Sequence, residues 1–241
     1  MRRAALLSGA LLLLGGCGSI QVDRPLVPAA PSAAPTPPLV EVWEVDVEGA
    51  FGPAAAAVGG GRIAIGDRKG DVVVLDGPTG RRVGRLSFGA SIEGGLVLSP
   101  DGLTVYVPVA RGRAGVVAYA VREGARRWTW RPDSAAQSVD AGVALTGDVV
   151  VAALHDGSVV GLDAAVGTER WRQPGADRAQ NHASPVALTG GLVAVADDQG
   201  AVRALDAATG AVRWTGDVGA PVYAAPALAT GRLFVPTTRG H

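Results

Sequence analysis

The side chains able to do chemistry in this sequence are few and scattered. It has three histidines, His155, His182 and His241, and a single cysteine, Cys17. None of the histidines has a partner at metal-ligand spacing. His155-Asp156-Gly157 reads as a hairpin turn, and Asn181-His182 stands just before a strand, where a loop would face a rim. Asp197-Asp198 comes nearest to a cation site, since paired carboxylates suit hard metals. Followed by Gln199-Gly200, however, the pair is explained by a solvated turn. The sequence contains no phosphate-cradling glycine loop, no Gly-x-Ser-x-Gly elbow and no His-Glu-x-x-His helix. The expectation is therefore no catalytic residue, no metal site and no cofactor.

The elements that must position these residues show themselves as a repeat. Val202-Arg203-Ala204-Leu205-Asp206 through Trp214 overlays Val159-Val160-Gly161-Leu162-Asp163 through Trp171, 43 residues earlier. Trp128 lies a further 43 upstream, with Gly124 before it, and Val72 to Gly80, with Asp76 and Thr79, supplies an earlier copy. One period reads as four short strands, in the last full copy about Ala183 to Leu188, Leu192 to Ala196, Ala201 to Leu205 and Ala211 to Trp214. Between them stand Thr-Gly-Gly, Asp-Asp-Gln-Gly and Ala-Ala-Thr-Gly. In such turns glycine supplies positive φ and aspartate accepts backbone N–H groups. Four antiparallel strands in about 40 to 50 residues make a propeller blade, so the fold class is all-β.

Ala204-x-Asp206-x-x-Thr209-Gly210-x-x-x-Trp214 resembles the tryptophan-docking motif of the pyrroloquinoline-quinone (PQQ) type repeats, found in quinoprotein alcohol dehydrogenases and their non-catalytic relatives. The resemblance implies that each tryptophan packs between neighbouring blades while the aspartate ties the turn. Asp76, Thr79, Gly80, Gly124, Trp128, Asp163, Gly167, Trp171, Ala204, Asp206, Thr209, Gly210 and Trp214 are then structural. Some copies depart from it: Ala120 replaces the aspartate, Val166 the threonine and Gly84 the tryptophan. The quinone enzymes also use a vicinal disulfide, a calcium ion and a channel aspartate. With one cysteine the disulfide is impossible, which sets quinone catalysis aside.

The amino-terminal end reads as an address. Arg2 and Arg3 precede an apolar run from Ala4 to Leu14, too short for the ~20 residues of a membrane-crossing helix. Leu14-Gly15-Gly16-Cys17 resembles the lipobox of bacterial lipoproteins, which implies cleavage before Cys17 and acylation of its thiol and amino group. Residues 1–16 are thus expected to be a signal peptide. Residues 17–38, with Pro25, Pro28, Pro31, Pro35, Pro37 and Pro38, are expected to be a tether, and residues 39–241 the propeller. Basic and acidic residues balance at 22 each, with no basic face, so no nucleic-acid partner is expected.

Strand counting leaves four full blades and two strands of a fifth, with Val40 to Val45 expected as an outermost strand carrying Trp43. Relatives of this repeat type have about seven or eight blades. The expectation is that His241 interrupts a longer ring, a five-blade ring lacking one strand being the alternative. Signal, lipobox, tether and repeats together resemble the B-component lipoproteins of the outer-membrane β-barrel assembly machinery. That resemblance implies a non-catalytic scaffold on the periplasmic face of the outer membrane, anchored through Cys17. Its implied partners are envelope proteins, among them the barrel-inserting subunit. Gly18 after Cys17, in place of the aspartate that retains enteric lipoproteins at the inner membrane, favours that side. The alternatives are a ligand- or carbohydrate-binding sensory lipoprotein and a degenerate fragment of a quinone dehydrogenase.

Overall fold

A computed structural model describes residues 40–47, 49, 56–110 and 115–240. The expected signal peptide and the whole of the tether, Cys17 included, lie outside them, as does His241. Four antiparallel four-stranded sheets follow one another along the chain, each a simple meander. The first blade holds β1 (Ala57–Gly59), β2 (Arg62–Gly66), β3 (Asp71–Asp76) and β4 (Arg82–Ser87). The second holds β5 (Val97–Leu98), β6 (Thr104–Pro108), β7 (Val116–Ala120) and β8 (Ala125–Trp130). The third holds β9 (Val143–Thr146), β10 (Val149–Ala153), β11 (Val159–Asp163) and β12 (Glu169–Gln173). The fourth holds β13 (Val186–Ala187), β14 (Leu192–Ala196), β15 (Ala201–Asp206) and β16 (Val212–Asp217). A two-stranded sheet of β17 (Ala227–Ala229) and β18 (Arg232–Phe234) follows. No closed sheet joins the ends among the described residues.

The middle strands are largely apolar because each blade is covered on both faces, Arg203 in β15 being an exception. In β10 every residue is buried, yet alternate side chains go opposite ways. Val150 and Ala152 join Tyr106, Val116 and Trp128 of the second blade, whereas Val149, Val151 and Ala153 join Val193, Val195 and Leu205 of the fourth. The core is thus a series of inter-blade layers. At about 1.5 to 3 kcal/mol per buried aliphatic side chain, these layers hold the blades face to face without any disulfide.

The first strands lie innermost, with β1 beside β5, β5 beside β9 and β9 beside β13. Glycine permits the closest approach: a Cβ on Gly94 would stand 2.4 Å from the Gly142 nitrogen, where Gly95 bridges Gly142. The outer ladder of each blade shifts register at the same place, between Val74 and Leu75, Ala118 and Tyr119, Gly161 and Leu162, and Ala204 and Leu205. Such an irregularity re-aims the following side chains. Val40 to Val45, expected as an outermost strand, belong to no sheet, because no described strand lies beside them to pair with.

Candidate functional site

The recurrent turn between the third and fourth strands of a blade is a built platform. In the fourth blade Asp206 Oδ1 accepts the N–H groups of Ala208 and Thr209 and the Thr209 hydroxyl, all within 3.1 Å. The Gly210 N–H closes the turn on the Asp206 carbonyl at 2.7 Å. Asp76 does the same with Thr79 and Gly80, and Asp163 with Ala165, Val166 and Gly167. Arg213 and Thr209 hold the Asp206 carboxyl down at about 2, and Arg170 depresses that of Asp163.

Each of these three platforms receives an indole from the preceding segment. Trp171 donates its Nε1–H to the Ala207 carbonyl at 2.8 Å, Trp128 to Ala164 at 3.0 Å, and Trp43 to Gly77 at 2.8 Å. The rings lie over Gly210, Gly167 and Gly80, where an added Cβ would come within 2.5 to 2.6 Å of the indole. All three glycines have positive φ, so both backbone and space demand glycine there. Across the outer ladder Trp171 faces Gly161, Trp128 faces Ala118 and Trp214 faces Ala204, small residues that leave the ring room. Trp214 differs from its counterparts. It meets no such platform among the described residues and is 42% exposed. Gly124 has the expected positive φ but carries no indole.

A second cluster lies at the axis. At one repeat position successive blades present Glu93, Asp140 and His182, and the segment before β17 presents Tyr223. All four line a cavity of about 580 Å3 with Arg68 and Ser184. Arg68 pairs with Glu93 at 3.3 Å, and His155 Nδ1 lies 3.6 Å from Asp140 Oδ2. His182 meets the His155 ring edge to face at 5.3 Å and the Tyr223 ring at 5.2 Å. The Ser184 hydroxyl is engaged with backbone, donating to Ala141 and accepting from Gly95. No group of three potential metal ligands comes together among the described residues. The juxtaposition of His155 with His182 escaped the sequence reading because it links adjacent blades. Overlaying the repeats at Glu93, Asp140 and His182 finds the axial position of His182, but not its neighbour His155.

One expectation needs correction. Asp197 does not sit in a solvated turn; it is 1% exposed and accepts the N–H groups of Gln199 and Ala201. The following inner segment covers it, with Val222 donating to the Asp197 carbonyl. Asp67 takes the same role in the first blade, buried and accepting from Lys69 and Asp71.

Blades of four antiparallel strands joined by tryptophan on Asp-x-x-Thr-Gly turns define a β-propeller of PQQ-type repeats. The profile of the outer membrane protein assembly factor BamB family matches residues 40–184 and 167–241, and the chain belongs to that family. Among solved structures it is similar to BamB from Moraxella catarrhalis, with 24% identity and a TM-score of 0.64. That alignment covers 76% of this chain and 54% of the other, so the chain spans about half the length of that relative. The β-propeller domain of Myceliophteria thermophila Cps50 (Swd1) is similar at 16% identity and TM-score 0.64, covering 79% of this chain and 65% of that one. The computationally designed Ika4 protein aligns at 15% identity and TM-score 0.58, covering 69% of this chain and 98% of that one. No match was found among curated proteins.

Proposed function

We propose that this protein is a non-catalytic scaffold of the cell envelope that binds protein partners during assembly of outer-membrane β-barrel proteins. The observation that carries the reading is the match of the assembly-factor family across the repeats. The fold suits the role. Blades packed through continuous apolar layers and pinned by indoles make a rigid body, so its loops can bind a partner with little ordering cost. In this reading the lipid on Cys17 holds the protein at the periplasmic face of the outer membrane, with residues 17–38 as spacer. The experiment is site-specific photo-crosslinking in the native host from the loops around the axis and blade edges. Crosslinks to the barrel-inserting subunit, together with reduced outer-membrane barrel content on deletion, are the expected result. Normal barrel content in the deletion strain and no such crosslink would refute it.

The axial cavity favours one further reading, a polar ligand held between Arg68, Glu93, Asp140, His182 and Tyr223. Hydroxyl-rich ligands such as carbohydrates suit this mixture of charges and ring edges. Chemical-shift changes at His182 and Tyr223 on glycan titration are its expected signature.

A further inference from the structure

The seam between the first and second blades is built unlike the others. Where the repeat calls for tryptophan, β4 has Gly84, and the platform opposite is Ala120-Val121-Arg122-Glu123-Gly124. A Cβ on Gly84 or on Gly124 would meet nothing within 4 Å, whereas at Gly80, Gly167 and Gly210 it would strike an indole. Gly124 is exposed, while Gly80 and Gly210 are buried beneath their rings.

The turn itself is nonetheless formed. Val121 donates to Leu103 at 2.9 Å, as Gly77 donates to Gly61, Ala164 to Asp148 and Ala207 to Gly191. Gly124 has φ of 60°, close to the 67°, 76° and 74° of Gly80, Gly167 and Gly210. The carbonyl of Val121 therefore stands where the other turns accept the indole N–H. Both halves of the docking contact have changed, and open space is left at Gly84 and at Gly124, the slot where the other seams hold an indole.

Cations surround the slot. Arg170 and Arg213 close on Asp163 and Asp206 at 2.6 Å, but the equivalent Arg127 finds Ala120 in place of the carboxylate. Arg122 projects from the turn, and Arg82 stands two residues before Gly84. None of the three makes an ion pair among the described residues. Against them stand two carboxylates, Glu123 of the turn and Asp101, whose carboxyl Arg127 helps to hold down, so the three arginines leave a net positive charge.

We propose that this slot is an interaction site for an acidic segment of a partner protein bearing an aromatic residue, tryptophan above all. The ring lies on Gly124, its N–H meets the Val121 carbonyl, and flanking carboxylates pair with Arg82, Arg122 and Arg127. The occupant is not the tether, because residues 17–38 contain no aromatic side chain. The exposed Trp214 of a second copy is the competing occupant, and the test below separates the two.

The test uses purified protein and two fluorescein-labelled acidic pentapeptides, one with tryptophan at its centre and one with alanine, followed by anisotropy. The tryptophan peptide should bind at least about tenfold more tightly, in line with an aromatic anchor in a pocket. Gly84→Trp, which fills the slot from within, should abolish that preference while melting no lower than the parent. Arg127→Glu, on the surface, should weaken binding and flatten its salt dependence, which guards against a misfolded Gly84→Trp. Equal binding of the two peptides overturns the proposal, as does a folded Gly84→Trp or Arg127→Glu that binds like the parent. A self-association in sedimentation that both Trp214→Ala and Gly84→Trp dissolve also overturns it, by identifying a second copy as the occupant. No assembly-machinery component is involved, so this inference and the scaffold reading fail separately.

Discussion

Replacing Trp171 with alanine isolates the inter-blade contact, because the structure supplies its own controls. The Trp171 ring covers Gly210, fills the hollow over Gly161 and hydrogen-bonds Ala207 at 2.8 Å. Full burial of an indole is worth about 3 to 5 kcal/mol on truncation. Trp171 is half-buried and its Ala207 carbonyl can take up water afterwards, so the lower end, about 3 kcal/mol, is expected. Trp128 is 8% exposed and also packs against Tyr106 at 5.8 Å, so Trp128→Ala should cost about 4 to 5 kcal/mol. Trp214 meets no platform among the described residues and is 42% exposed, so Trp214→Ala should cost about 1 kcal/mol. The motif alone ranks Trp171 and Trp214 as equals, so this ordering comes from the structure. Urea melts followed by far-ultraviolet circular dichroism measure all three, and for Trp171→Ala a melting temperature lower by roughly 6 to 12 °C is expected. A Trp214→Ala variant as unstable as Trp171→Ala, or a Trp171→Ala variant within about 0.5 kcal/mol of the parent, would refute the reasoning.

Gly167→Ala should destabilise by about 2 to 4 kcal/mol in the same melts, because it combines φ of 76° with a Cβ placed 2.5 Å from the Trp128 ring. Asp206 has its folded pKa lowered from 3.8 to about 2, so its contribution is complete above about pH 4 and is lost as pH falls toward 2. Asp206→Asn should accordingly be less stable at neutral pH and lose less on acidification across that window; an unchanged acid transition would count against the platform's charge. Cys17→Ser should move the protein from the membrane fraction to the soluble fraction or leave it as precursor, and a fatty-acid label persisting in the serine variant would sink the lipid assignment.

The repeat, the strand count and the docking motif were legible because blade geometry is local. A 43-residue period, apolar runs that suit strands covered on both faces, and Asp-x-x-Thr-Gly turns each follow from short-range backbone rules. The turn at Asp197 misled for the same reason. Asp-Asp-Gln-Gly marks a turn in any context, but only the next inner segment decides that Asp197 is buried and that Val222 closes over it. The pairing of His155 with His182 depends on two blades standing side by side, and no spacing within one blade encodes it. The same holds for the open slot. Gly84 and Gly124 look like two unrelated lapses of a motif, 40 residues apart in the chain. Only stacking of the first blade on the second makes them the two sides of one seam. Residue types and their period determined what each blade is, through local hydrogen bonding and two-sided burial. What lies between blades was decided by tertiary structure, because contacts across a seam join residues that the chain keeps far apart.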